Sequence, residues 1–486
     1  MNKDFSKLEP QDLWSYFIDL TKIPRPSGKE AAVIEYLKKF GKEHGLETIV
    51  DEVGNVIIKK PATPGMQNRK GVILQGHLDM VPQKNSDKIH DFEKDPIEAY
   101  IDGEWVTANG TTLGSDNGIG VAASLAILSS KNLQHGPIEG FFTIDEETGM
   151  TGAFGLKPGL MDGDILMNLD SEDEGELYVG CAGGTNANME FTYNQSEVPN
   201  GMTSFKLSVT GLKGGHSGVD IHLGRGNSNK LMFRFLYFAQ KELGLRLASI
   251  DGGSLRNAIP RETFAVVVVP NANADKLVSS FEKFEKIFKN ELAETEPDML
   301  FKVEKTAMPA YLIDEKTQNN LIKAIYGAPN AVIRMSASMR GLVETSTNLA
   351  IVKSDENKIA VLALLRSSVD SAREDLENMF ESVFSVAGAK VWFDGQYPGW
   401  KPNMNSSILK TMSEIYNNKF GKVPEIRAIH AGLECGLLGG VYPNWDMISF
   451  GPTIRFPHSP DEKVNIETVN KFWLFLVETL KNIPVK

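Results

Sequence analysis

Residues 71–82 read GVILQGHLDMVP: three consecutive aliphatic residues of the kind that fill a buried strand, then a histidine and an aspartate two positions apart. Side chains at i and i+2 of a strand point to the same side, so His77 and Asp79 face one pocket at the strand's end. A carboxylate beside an imidazole fixes its tautomer and strengthens it as a metal ligand. Taken alone, the pair reads more simply as a structural or surface-polar device, because histidine is often part-buried without any metal. The neighbouring segments decide between the two.

Outward from this strand, short strand-like runs at 48–53, 55–59, 138–144 and 164–169 alternate with helical apolar spacing at 11–20, 28–44 and 115–130, and Gly45 is placed to cap the second helix. Such alternation predicts an α/β sandwich whose buried sheet carries its ligand sites at strand ends. From about residue 184 the texture changes, with strands at 204–209, 264–269, 348–352 and 358–365 and helices at 230–243, 275–292 and 373–386. The order strand, strand, helix in 255–290 recurs in 342–386, which reads as an internal duplication. The turn-rich DGQYPGWKP at 394–402 closes this stretch, and helices at 407–417 and 466–480 resume the first pattern. The expected organisation is an α/β domain of residues 1–183 and 399–486, interrupted by an α+β insertion at 184–398.

Composition narrows the function. At 486 residues the chain exceeds what one core usually organises, and 41% hydrophobic with 23% charged residues is ordinary for a soluble protein. No run approaches the roughly 18 apolar residues of a spanning helix, and MNKDFSKLEPQDLWSYF lacks the apolar region of a secretory signal, so no membrane association and a cytoplasmic location are expected. Cys181 and Cys435, the two cysteines, suit a reducing compartment. A net charge of −12 argues against a nucleic-acid partner, which demands a basic face. Chemistry on a small molecule is the better expectation.

Four further segments repeat the opening device. GSDNGIG at 114–120 places Asp116 at the start of the 115–130 helix, where Ser115 or Asp116 could equally serve as a cap. The letters Gly118, Gly120 and Ala123, with Glu139 beyond, imitate a dinucleotide fingerprint, but the preceding TTLGSDN is polar and turn-like where that motif needs a strand. DEETG at 145–149 sets three acids at the end of a strand, which suits either a solvated loop or a metal site, since clustered carboxylates repel unless something positive lies between them. NLDSED at 168–173 ends another strand in Asp170, and His458 lies in a proline-flanked loop within GPTIRFPHSPDE. Two imidazoles and three carboxylates converging on one rim, with one carboxylate able to bridge, suit a pair of zinc-like divalent ions.

GHLDMVP, GSDNGIG, DEETGM, NLDSED and PHSPDE, in that order and with those gaps, resemble the zinc-dependent M20 metallopeptidases, in particular their aminoacyl-histidine (Xaa-His, carnosinase-like) dipeptidase branch. The resemblance covers essentially the whole chain, including GGHSG at 214–218 in the insertion. It implies that His77 and Asp170 bind one metal, that Glu147 and His458 bind the other, and that Asp116 bridges both. It also implies that Asp79 tunes His77 from behind, that Glu146 is the catalytic carboxylate, and that the Asp116–Asn117 peptide is cis. Zinc is the expected metal, with cobalt or manganese as alternatives.

For the substrate, the resemblance suggests that the insertion is a lid, with His216 as an oxyanion donor and Asn257 and Arg366 as ligands of the substrate carboxylate. Arg366 also reads as a surface ion pair and Asn257 as a turn cap. Glu434, in HAGLECG, reads equally as a receiver of the substrate ammonium or as a structural residue. His44, His90, His135, His222 and His430 receive no role beyond solvated or structural ones. The expected activity is hydrolysis of dipeptides, Xaa-His among them, by one chain or by a homodimer. The alternatives are an N-acyl amino-acid amidohydrolase or tripeptidase using the same metals, and a noncatalytic binding module.

Overall fold

The computed structural model describes residues 3–486, which divide into two compact units. The first comprises the chain up to Gly180 with Pro402–Ala428 and Leu433–Lys486; the second comprises Cys181–Lys401 with Ile429–Gly432.

The first unit is built on an eight-stranded sheet in the spatial order Glu47–Val50, Val56–Lys60, Ile138–Thr143, Val72–His77, Ile165–Asn168, Asp446–Ser449, Glu176–Cys181, Glu425–Ile429. Four neighbours, Ile138–Thr143 through Asp446–Ser449, run parallel. Every residue of Val72–His77, Ile138–Thr143 and Ile165–Asn168 is buried, which is why these strands read as continuous apolar runs rather than alternations. Helix Ser115–Ser129 packs against both Val72–His77 and helix Gln11–Thr21. Helix Ala31–His44 ends at Gly45, whose φ of 65° lets its N–H close on the last-turn carbonyls. That helix starts three residues later than its apolar spacing suggests, because Gly28, at φ 77°, belongs to a turn in which Lys29 N bonds Pro26 O. A separate four-stranded sheet pairs Lys463–Asn465 with Trp105–Ala108.

The second unit holds a nine-stranded sheet whose described pairings are antiparallel. The strand, strand, helix order recurs in three dimensions: Arg246–Gly252, Thr263–Pro270 and Ala274–Glu291 against Val343–Ser354, Lys358–Ser367 and Asp370–Val386. The two hairpins meet where Asp251 and Gly252 pair with Lys353 and Val352. The first copy begins earlier than the sequence pattern suggests. Helices Ser228–Leu243 and Ala274–Glu291 seal the sheet through Phe235, Phe281 and Phe288, each at most 1% exposed and each contributing about 1.5–3 kcal/mol of apolar burial. No helix among the described residues is long and apolar enough to cross a membrane.

Helix Ser115–Ser129 can approach the strand ends only because it carries glycine there. A Cβ on Gly120 would stand 2.6 Å from Leu169 O and 2.5 Å from Asn117 Oδ1. Gly120→Ala should therefore force the helix off the strand that leads to Asp170 and lower stability by about 1–3 kcal/mol. Urea unfolding that shows an unchanged midpoint would contradict this packing.

Candidate metal centre

The parallel strands deliver their acidic ends to one place. His77 is the last residue of its strand and 1% exposed; its Nε2 lies 3.0 Å from Asp116 Oδ1 and 3.4 Å from Asp170 Oδ1. Asp170 comes two residues after the strand Ile165–Asn168, the direct neighbour of the His77 strand. Asp116 turns its second oxygen to the other imidazole, with Oδ2 3.3 Å from His458 Nε2. Glu147 Oε2 lies 2.9 Å from that same Nε2. The Asp116–Asn117 peptide is cis, and both residues depart from helical backbone values within the first turn of their helix.

Asp79 stands on the far side of His77. The ring's Nδ1 is 3.2 Å from Asp79 O and 3.4 Å from Asp79 Oδ1. The same carboxylate accepts Glu146 N at 3.0 Å, Glu147 N at 3.2 Å and Ser27 Oγ at 2.8 Å. One buried side chain thus orients the imidazole and holds the backbone of the acidic doublet.

The electrostatics record too much negative charge in a largely buried space. Burial pulls His77 down, yet Asp170, Asp116 and Asp79 hold it well above its ordinary value. Bonds with Asp116 and then Glu147 push His458 up to about 11. Burial pushes Asp170 up to about 7 in spite of His77. Glu146 is driven well above the carboxylate range, first by burial and then, against the pull of His77, by Asp170, Glu434 and Glu147. Burial would raise Asp79 and Asp116 too, but the hydrogen bonds they share with the imidazoles keep both well below the usual range.

These donors suit two cations. His77, Asp116 and Asp170 offer ligand atoms within 4.8 Å of one another, and so do Asp116, Glu147 and His458, with Asp116 common to both groups. Glu147 Oε1 and Asp170 Oδ1 are buried without a hydrogen-bond donor. An imidazole nitrogen and a carboxylate oxygen at 3 Å repel unless a proton or a cation lies between them, and the mixed nitrogen and oxygen set is the kind that zinc accepts. A further acidic group, Glu30, Asp79 and Asp145, is satisfied internally: Glu30 Oε1 accepts Gly28 N and Asp145 N, and Asp79 is engaged as above.

Two positioning residues escape any reading of local sequence. Glu462, 2% exposed, accepts Leu113 N, Gly114 N, Ser115 N and Ser115 Oγ at 2.6–3.0 Å, and Asp116 N at 3.3 Å. The capping role that the sequence offers to Ser115 or Asp116 therefore belongs to a carboxylate from the far end of the chain. Arg25, 2% exposed, donates to Leu78 O, Asp79 O and Gly114 O, so it ties the exit of the His77 strand to the entry of the Asp116 helix. Asn117 Nδ2 reaches Leu169 O at 2.6 Å and adds the Asp170 strand to the same frame.

His216, Asn257 and Arg366 belong to the second unit. His216 Nδ1 accepts Gly218 N at 3.2 Å and Val219 N at 3.1 Å, which leaves the ring proton on Nε2. Burial, and then Arg366, lower its pKa, so the ring is a neutral donor at pH 7. Arg366 is 6% exposed and makes no ion pair among the described residues; Nη1 donates to Tyr397 Oη at 2.9 Å and Nε has no acceptor. The surface ion-pair reading of this arginine is thereby removed. Asn257 is exposed, and its carbonyl takes Ser217 N at 2.8 Å. His430 is buried against Ser346 Oγ at 2.7 Å, with burial and then Arg366 pushing it down to about 3, consistent with a structural residue.

Comparison with known proteins agrees with this geometry. The family model described as "Peptidase family M20/M25/M40" matches residues 73–482. The cytosol non-specific dipeptidase of Escherichia coli K12 is 49% identical over 483 residues, covering 99% of this chain and all of that one. The crystal structure of aminoacylhistidine dipeptidase from Vibrio alginolyticus superposes with a TM-score of 0.96 at 52% identity, covering 100% of this chain and 99% of the other. Aminopeptidase PepT from Bacillus cereus shares the fold, with a TM-score of 0.61 at 17% identity over 98% of this chain and 99% of its own. The strand ends that gather His77, Asp116, Glu147, Asp170 and His458 lie within the matched span, and the chain belongs to peptidase family M20/M25/M40.

Proposed function

We propose that the chain is a dinuclear metal-dependent dipeptidase of the cytosol, with Xaa-His dipeptides among its substrates. The observation that carries this reading is Asp116, shared between two three-donor groups, with Glu146 held beside them by the Asp79 clamp. Both near relatives bear dipeptidase names, which favours this activity over an N-acyl amidohydrolase or a tripeptidase. A binding module of the same fold would have no use for a carboxylate kept free beside the ligands.

In this reading the first unit is catalytic and the second supplies substrate contacts. Two divalent ions, zinc by the donor set with cobalt or manganese as alternatives, would be held by His77, Asp116 and Asp170 and by Asp116, Glu147 and His458, and when bound would supply Lewis acidity toward the scissile carbonyl and water. Glu146 takes the proton from the attacking water on its carboxylate and delivers it to the nitrogen of the leaving amine. Asp79 keeps His77 in one tautomer and fixes the main chain of Glu146. His216 donates Nε2–H to the oxygen on which negative charge develops, and Arg366 with Asn257 pairs with the substrate carboxylate.

Metal analysis of Asp116→Ala should show depletion of both ions, because one side chain serves both groups; full retention of two would end the bridging role. Glu146→Gln should retain its metals and lose roughly 10²–10⁴ in kcat on glycyl-histidine, the usual range for a general base. Near-normal turnover would assign the proton transfer to another group. For His216→Ala the expectation is a loss of about 10²-fold in kcat with KM little changed, as for an oxyanion donor. Mixing that variant with Glu146→Gln restores activity only if a homodimer supplies the histidine between chains.

A further inference from the structure

In the second unit, the connection between strands Arg246–Gly252 and Thr263–Pro270 carries Asn257, and the loop of His216 is stitched to it. His216 and Ala258 form an antiparallel bridge, Ser217 N donates to Asn257 O at 2.8 Å, and Ile259 N donates to Gly215 O at 2.8 Å. The imidazole in turn is oriented by its own loop, through Gly218 N and Val219 N. The direction of the His216 ring therefore depends on where residues 257–259 are placed.

A connection in which Ser254, Leu255 and Asn257 are exposed has little packing to fix it. Arg256, part-buried in their midst, supplies what packing does not. Its Nη1 donates to Ala187 O at 3.0 Å and Ala363 O at 3.1 Å, register partners on strands Gly183–Thr192 and Lys358–Ser367, and its Nη2 donates to Asn188 Oδ1 at 2.8 Å. Asn188 is held with this oxygen toward the arginine, because its Nδ2 donates to Asp394 Oδ2 at 2.9 Å. One guanidinium is thus pinned across two strands. Asn348, 1% exposed, completes the attachment: its Nδ2 donates to Arg256 O at 3.2 Å and Ala258 O at 2.8 Å, the carbonyls on either side of Asn257. An arginine kept for solubility would leave its charge in water, whereas this one exchanges hydration for three uncharged oxygens and so fixes the main chain that bears it.

We infer that Arg256 is a positioning residue for both His216 and Asn257, and that it makes the oxyanion donor and the carboxylate ligand one mechanical piece. This rests on the roles proposed above for those two residues. In a dipeptide only the leaving nitrogen and one α carbon separate the scissile carbonyl from the carboxylate, so the two contacts must keep a set spacing. Without the guanidinium, residues 254–259 keep their bonds to the His216 loop but lose their hold on the sheet. Both side chains are then displaced together.

Arg256→Ala tests this in the metal-loaded parent and in the His216→Ala and Asn257→Ala backgrounds, with metal content and thermal midpoint as controls. On glycyl-histidine, Arg256→Ala alone should lose about tenfold or more in kcat and raise KM by about threefold or more. In the His216→Ala background its effect on kcat should shrink to within about twofold, and in the Asn257→Ala background its effect on KM should shrink likewise, because a residue that acts through another has nothing left to act on. Hydrogen exchange followed by mass spectrometry should quicken in segments 214–219 and 254–259. Arg256→Lys, which keeps the charge but cannot span both strands, takes its place under the same criteria if Arg256→Ala does not fold. Turnover within about twofold of the parent, unchanged exchange in those two segments, or the same factor of loss in every background overturns the assignment. If His216→Ala itself turns over like the parent, the oxyanion role falls and this inference falls with it. If His216→Ala is impaired while Arg256→Ala acts independently of it, this inference alone falls.

Discussion

Asp116, Glu146, Glu147 and Asp170 share one largely buried space, offset by His77 and His458 with the Arg25 guanidinium behind them. Much of the first unit can be understood as the framework that makes so unfavourable a cluster persist. Carboxylates on a flexible surface would simply move apart; Glu146, Glu147 and Asp170 instead follow the ends of fully buried parallel strands, and Asp116 is fixed in the first turn of helix Ser115–Ser129, which packs against them. Mutual repulsion is thereby converted into affinity for cations, and the same crowding holds the imidazoles' pKa values above their ordinary range.

The framework itself is made of hydrogen bonds to backbone rather than of further charge pairs. Asp79 holds the acidic doublet by its amides, Glu462 does the same for residues 113–116, and Arg25 joins the two through carbonyl oxygens. Amides and carbonyls are rigid partners, so each ligand's position depends on main chain that packing already constrains. Glycine completes the frame, since a Cβ at Gly76 would stand 2.2 Å from Asn117 Oδ1.

What the linear chain revealed divides along physical lines. His77 with Asp79, and Asp170 two positions beyond its strand, were legible because strand periodicity and strand termination are local properties. Asp116 and His458 gained meaning only from the ordered set of motifs, because Asp116 reads as an ordinary residue of a helix start and His458 lies in a loop. Glu462 was beyond local reading: it meets Ser115 across 347 residues, and nothing in PDEK announces that its carboxylate will receive amides. Arg25 was invisible for the same reason, as its acceptors are carbonyls, which leave no signature in residue type. Arg366 was ambiguous until its burial was known, since an arginine on a strand reads alike whether it faces solvent or a protein interior.

The pairing of Lys463–Asn465 with Trp105–Ala108 has a consequence for biosynthesis. The segment that carries His458 also carries Glu462, which holds the loop of Asp116, so ligand and clamp leave the ribosome together and late. Until residues 454–465 have been made, a growing chain can neither complete the second group of donors nor hold the loop of Asp116 in place. A chain that stops before residue 454 thus lacks at once a donor of the second group and the carboxylate that holds the backbone of residues 113–116.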